Sequence, residues 1–209
     1  MNITLSEIHY KLSEDLKNNN YNHENLIPLG LGSEGAIFSN GCHIFKFFFN
    51  GITALSQEHL SFIANNFVNN KKITGIRLLS DIIQEEKDLI FVTPYEKYLP
   101  YSGGDVKEII KILADSKKNN YIFTNFHPKN IMYDEDMNLK IIDVGKSLEP
   151  YEEEKYQNMI CRAYLSTYFP KRSDLKSMMS AIYKPHPPAE LNEVNDFKNL
   201  LYNEIGKIR

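Results

Sequence analysis

Tryptophan is absent from the chain, and cysteine occurs only twice, as Cys42 and Cys161. Two cysteines cannot build a disulfide framework, so packing must hold the core, which fits a reducing compartment or indifference to redox state. Long hydrophobic runs are missing as well: nothing approaches the roughly 18 apolar residues that cross a bilayer. No basic-then-apolar leader opens the sequence either, so neither a membrane span nor a signal peptide is expected. Charge of one sign is scarce, because 24 Lys and Arg stand against 27 Asp and Glu for a formal net charge of -3. A polyanion-neutralising surface is thereby excluded as the dominant feature, and no nucleic-acid partner is expected.

What the chain does have is aromatic bulk. Thirteen Tyr and twelve Phe in 209 residues, with 42% apolar and 24% charged residues overall, suit one soluble globular domain with a sizeable core. Asparagine clusters at Asn18, Asn19 and Asn20 and at Asn65, Asn66, Asn69 and Asn70 suit turns and helix ends. Leu5, Ile8, Leu12 and Leu16 recur near one face and predict an amphipathic helix over 4–17. Leu26 to Leu31 reads as extended chain entering a glycine-rich stretch that ends at Phe38, and Ser39-Asn40-Gly41 turns it back into His43 to Phe49. Thr53 reads as the N-cap of a helix carrying Leu55, Glu58, Phe62, Ile63 and Phe67.

Two strands, Ile76 to Ile83 and Leu89 to Thr93, follow across a charged turn, and Pro94 and Pro100 bracket a tyrosine-rich connection. Ser102-Gly103-Gly104-Asp105 opens a helix with Val106, Ile109, Ile110 and Leu113, and a small polar hairpin ends in Leu139 to Gly145. The remainder reads as helical, interrupted by Pro185, Pro187 and Pro188, with a last helix over 190–205. This order predicts an α+β chain: a small β-rich lobe over 1–93, a connector over 94–104 and a compact helical lobe over 105–209, sharing a cleft within one domain.

Gly30-x-Gly32-x-x-Gly35 lies on a strand that leads into another strand. Such glycines also serve ordinary turns. A dinucleotide fingerprint needs a helix next, and a Walker loop needs Gly-Lys-Ser/Thr at its end; this stretch has neither. A glycine hairpin can instead lie over phosphates, because missing side chains let the backbone come close. Lys46, in Ile44-Phe45-Lys46-Phe47, must point to solvent or pair with a carboxylate, since burying a lone ammonium is costly. Glu58 on the following helix is the expected partner, and the pair would orient Lys46 toward nucleotide phosphates.

With these residues in place, the sequence resembles the protein-kinase-like superfamily over about residues 26 to 146, including small branches that act on metabolites or antibiotics. Gly30, Gly32 and Gly35 match the nucleotide-covering loop, Ile37 the apolar residue after it, Lys46 the strand lysine and Glu58 the helix glutamate. Phe123-Thr124-Asn125-Phe126-His127-Pro128-Lys129-Asn130 resembles the catalytic loop, and Asp143-Val144-Gly145 resembles the metal-binding Asp-Phe-Gly segment. The resemblance implies a minimal two-lobed fold with ATP and Mg2+ as cofactors, Asn130 and Asp143 as metal ligands, and His127 as a support of the loop rather than a zinc ligand. It also implies that Thr93, Pro94, Tyr95 and Glu96 line the adenine end, with Ile37 and Ile44 in apolar contact with the base.

Asn125 departs from the pattern by standing where the catalytic aspartate is expected. An amide can orient a hydroxyl but cannot take up its proton, and losing such a base costs roughly 10²- to 10⁴-fold in rate. The amide is either natural, in a pseudokinase or a weak enzyme with another base, or an Asp-to-Asn change that silences an active kinase. With every neighbouring feature intact, the second is the expectation, and the chain is inactive or nearly so.

Only 64 residues follow Gly145, and no Ala-Pro-Glu segment closes an activation loop. Such compression resembles the minimal kinases among bacterial effectors. That implies a protein substrate in a host cell, with chaperones and ubiquitin-pathway components as candidates, and a cytoplasmic location reached by secretion from a bacterium. The competing readings are a small-metabolite or antibiotic kinase and a nucleotide-binding pseudokinase module. The charged residues Glu152, Glu153, Glu154, Lys171, Arg172, Asp174 and Lys176 do not by their spacing define an acceptor pocket, and no motif encodes the oligomeric state.

Overall fold

Alternating apolar residues between 27 and 94 build a five-stranded antiparallel sheet in the computed structural model, which describes residues 4–168 and 190–207. The strands are β1 (Ile27–Leu31), β2 (Gly35–Ser39), β3 (His43–Phe48), β4 (Asp81–Glu85) and β5 (Asp88–Pro94), in spatial order β1-β2-β3-β5-β4. Period two sends alternate side chains to opposite faces. On one face Phe38, Phe45, Phe47, Ile90 and Val92 form a core with Ile8, Leu12 and Leu16 of helix α1 (Leu5–Asn18). A capping box starts α1: the Thr4 hydroxyl accepts from the Glu7 N–H, and the Glu7 carboxylate accepts from the Thr4 N–H at 2.7 Å. Leu5 is not part of the buried stripe and stands 41% exposed. The opposite sheet face carries Ile37, Lys46 and Phe91 as one cross-strand row, with Ile44 beside Thr93 in the next.

The sequence suggests Thr53 as the cap of the second helix, but the structure puts the cap at Ser56, whose hydroxyl accepts from the His59 N–H at 3.1 Å. The cause is Gly51. Its φ of +52° suits glycine, and a Cβ there would stand 1.6 Å from the Lys87 carbonyl. The chain is held against the β4–β5 turn at this point, Ile52 N–H to Lys87 O at 2.8 Å, and it spends Gly51–Ala54 on a 3-10 turn. Helix α2 (Gln57–Phe67) therefore begins later than the sequence implies, and it buries Leu60, Ile63 and Phe67.

These elements belong to a compact unit made of Met1–Lys71 and Leu78–Glu96; a second unit comprises Lys72–Arg77 and Lys97–Arg209. The short strip 72–77, which the sequence places in the small lobe, thus packs with the second unit. It does so because it pairs with the strand Leu139–Ile141: the Ile141 N–H donates to Gly75 O at 2.9 Å and the Arg77 N–H to Ile141 O at 2.8 Å. The strand expected over Ile76 to Ile83 is consequently split, and β4 starts only at Asp81.

The second unit contains β6 (Leu99–Pro100), α3 (Val106–Lys118), β7 (Tyr121–Phe123), β8 (Ile131–Tyr133), β9 (Leu139–Ile141), β10 (Leu148–Pro150), α4 (Glu153–Tyr168) and α5 (Glu190–Lys207). Its core brings Ile109 and Leu113 of α3 together with Tyr156 and Tyr164 of α4 and Phe197 and Leu201 of α5, all buried. Buried tyrosines here find backbone and side-chain acceptors, as where the Tyr156 hydroxyl donates to Leu113 O at 2.8 Å, although the buried Tyr101 hydroxyl has none. Asp115 of α3 is buried and gathers donors from distant chain. It accepts from Thr74 N–H at 3.1 Å, the Thr74 hydroxyl at 3.0 Å, Gly75 N–H at 3.2 Å, the Asn119 amide at 3.1 Å and the Tyr121 hydroxyl at 2.8 Å. Burial, then the Asp115 charge, pushes the Tyr121 phenol well above its ordinary pKa, so it stays a donor. The proline cluster at 185–188 and the charged residues from Lys171 to Lys176 lie outside the described residues. Among the described residues no helix is long and apolar enough to cross a membrane.

Candidate functional site

The candidate residues fall into two sets, one in each unit. In the first unit, the turn between β1 and β2 is closed by Gly32 N–H to Gly35 O at 2.9 Å, and the Phe49 N–H donates to Glu34 O at 3.0 Å. Its three glycines are not equivalent. A Cβ on Gly35 would lie 2.1 Å from the Phe47 carbonyl, so the fold itself requires that glycine; Gly30 has nothing within 4 Å and Gly32 only an ordinary contact at 3.7 Å. None of the three has a positive φ. Gly35→Ala is therefore expected to destabilise the chain by about 1–3 kcal/mol, the usual cost of overpacking. Gly30→Ala should stay within about 0.5 kcal/mol of the original chain in a denaturant titration, so any change it makes in ligand affinity reports the ligand rather than the fold.

Lys46 projects from the face that also carries Ile37, Ile44 and Thr93. Its ammonium lies 2.9 Å from Glu34 Oε2 and 5.0 Å from the centre of the Phe48 ring. This corrects the expected partnership with Glu58. Measured at 100° per residue from Leu60 on the buried stripe, Glu58 lies about 160° around the helix, and its side chain is exposed. The late start of α2 fixes that phase. Glu34, on the turn two strands away from α2 in sequence, supplies the carboxylate instead. A glutamate within a glycine loop beside a strand lysine is the sequence signal that could have identified it.

Thr93 is buried and its hydroxyl donates to Ile44 O at 3.4 Å, tying the end of β5 to β3. Pro94, Tyr95 and Glu96 are exposed, and the Tyr95 N–H is taken by Cys42 O at 2.8 Å. The Tyr95 backbone donor is thus already engaged within the unit.

In the second unit, two short ladders hold the other set. β7 pairs with β10, and β8 with β9, both antiparallel. The chain from β7 to β8 contains Asn125 and Asn130; the chain from β9 to β10 contains Asp143. Thr124 N–H to Ser147 O at 2.7 Å extends the first ladder, and Ile142 N–H to Asn130 O at 3.0 Å extends the second. Asn130 and Asp143 are therefore brought to the same open end of one hairpin. The Asn130 amide nitrogen donates to Asn125 O at 3.1 Å, so Oδ1 is the side chain's acceptor atom. Asn125 is exposed, while its neighbour Phe126 is fully buried and anchors the loop. His127 caps the turn Pro128–Asn130 by accepting the Lys129 N–H on Nδ1 at 3.2 Å. Burial, then the charges of Lys129 and Arg162, holds its pKa below the usual histidine range, as suits an acceptor.

Sequence reasoning also missed Asp115. Through Thr74 and Gly75 it anchors the strip that pairs with β9, and β9 leads directly to Asp143. No group of three or more His, Cys, Asp or Glu side chains converges among the described residues. Two hard oxygens from Asn130 and Asp143 suit a cation that brings most of its own ligands, as magnesium does with water and phosphate; they do not suit zinc.

In chain order the elements are a five-stranded antiparallel sheet with a helix after its third strand, then a unit of helices with small antiparallel ladders. The chain is similar to two solved structures of the Mycobacterium tuberculosis PknI kinase domain. A double mutant of that domain shares 13% identity at a TM-score of 0.49, over 84% of this chain and 94% of that one. The second structure shares 12% identity at a TM-score of 0.47, over 83% and 94%. No known family matches the sequence, and no curated protein does.

Proposed function

We propose that the chain is an ATP-dependent phosphotransferase of the kinase type, carrying an amide where the transfer step needs a base. The observation that carries this reading is the pair of ladders that brings Asn125, Asn130 and Asp143 to one end of the second unit. Asn130 and Asp143 supply oxygens for Mg2+, which when bound would neutralise phosphate charge. The glycine turn and Lys46 of the first unit supply groups for the phosphates, and Ile37 and Ile44 supply apolar surface for the base. Asn125 can orient an acceptor hydroxyl but cannot take its proton, so transfer by the chain as it stands is slow.

The acceptor in this reading is a protein hydroxyl. α4 spends Tyr156, Met159, Ile160, Tyr164 and Leu165 on the core. Among the described charged residues near it, Lys155 pairs with Glu149 at 2.8 Å and Glu152 at 3.1 Å, and Lys117 with Glu153 at 3.7 Å. A metabolite kinase would need such groups turned toward a ligand. A host-cell protein as the acceptor, and a bacterial effector as the source, remain part of the proposal and rest on the sequence resemblance. The test is side-by-side phosphoryl transfer by the chain and by Asn125→Asp in one protein mixture.

A further inference from the structure

The pairing of Lys46 with a carboxylate of the glycine turn has a consequence for ligand binding. Both partners are largely withdrawn from water, with side chains 14% and 20% exposed, so solvent and salt screen the pair less than a surface bridge. The turn is fixed on both sides of Glu34, by Gly32 N–H to Gly35 O and by Phe49 N–H to Glu34 O. The ammonium also lies near the Phe48 ring at 5.0 Å. A phosphate oxygen approaching Lys46 thus meets a pair whose net charge is close to zero. It must either share the ammonium with a carboxylate about 3 Å from it, which repels it, or displace that carboxylate. Both routes cost affinity.

We infer that Glu34 sets the polyphosphate affinity of this chain, by holding Lys46 in a neutral pair within the glycine turn. The inference rests on the reading of Lys46 as a phosphate-binding group. It assigns Glu34 a role distinct from that expected for Glu58, which faces away from the buried stripe of α2.

The test titrates the full chain, Glu34→Gln and Lys46→Met with Mg-ATP and separately with adenosine, and records melting curves to confirm folding. Glu34→Gln keeps the side chain's size and removes its charge. It is expected to bind ATP about tenfold more tightly, equivalent to about 1.4 kcal/mol, with adenosine affinity unchanged and the gain lost in the Glu34→Gln/Lys46→Met double variant. Glu34→Ala must move ATP affinity in the same direction. Unchanged or weaker ATP binding by Glu34→Gln, while Lys46→Met weakens it, would overturn the inference and make Glu34 an orienting partner of the lysine. If Lys46→Met binds ATP as the original chain does, the phosphate reading of Lys46 falls and the inference falls with it.

Discussion

Asn125→Asp raises phosphoryl transfer from ATP by roughly 10²- to 10⁴-fold, the contribution of a positioned general base. The size of the effect follows from how little else must change. The side chain at 125 is exposed, the replacement is nearly isosteric, and the backbone is held independently of it. Phe126 is fully buried, the Asn125 carbonyl accepts from Asn130, and Thr124 is tied to Ser147 O at 2.7 Å. Stability should therefore stay within about 0.5 kcal/mol, and a melting curve checks that. Incorporation of the γ-phosphate into a protein mixture is the readout. If the aspartate form binds ATP as before and transfers nothing, the chain is a nucleotide-binding module and the catalytic reading is wrong. A small acceptor that stimulates ATP consumption by the aspartate form, with no labelled protein, would move the acceptor to a metabolite.

Asp115→Ala gives the largest loss of stability, about 3–5 kcal/mol, the usual cost of leaving a buried charged network without its centre. The residue is only 8% exposed, and removing its carboxylate strands the Thr74 and Gly75 N–H groups and the Tyr121 hydroxyl. In a chain of this size the melting temperature should fall by about 10 °C. Asp115→Asn keeps one acceptor but turns an N–H₂ group toward donors, so it should lose part of that amount. The strip released by either change is the one paired with β9, so ATP affinity in the presence of magnesium should fall along with stability. A denaturant titration showing loss below about 0.5 kcal/mol would mean that the five hydrogen bonds are replaceable by water.

What could be read from the sequence was local. The hairpin of β2 and β3 follows from alternation across the Ser39-Asn40-Gly41 turn. The start of α3 follows from Asp105, whose carboxylate accepts the Glu108 N–H at 3.3 Å. The ladder holding Asn130 and Asp143 could be anticipated because both sides of the hairpin are close in sequence and the turn from Asp134 to Asn138 marks its tip. What could not be read depended on distant contacts. The phase of α2, and with it the orientation of Glu58, is set where Gly51 meets the carbonyl of Lys87. The division of the expected strand over Ile76 to Ile83 comes from pairing with β9. Asp115 draws its donors from Thr74 and Gly75, 41 and 40 positions away. Single-residue propensities contain none of these partners, because each depends on which side chains the tertiary fold brings together.

The central claim is that Asn130 and Asp143 hold the metal of a bound nucleotide. It is tested most directly by titrating the chain with ATP in magnesium and again in EDTA, alongside Asp143→Asn in magnesium. The account predicts that chelation and the substitution each weaken ATP binding by at least about tenfold, the equivalent of one lost charged contact, and that chelation adds little further loss in Asp143→Asn. ATP binding of equal strength in all of these titrations, or none in any of them, would contradict it.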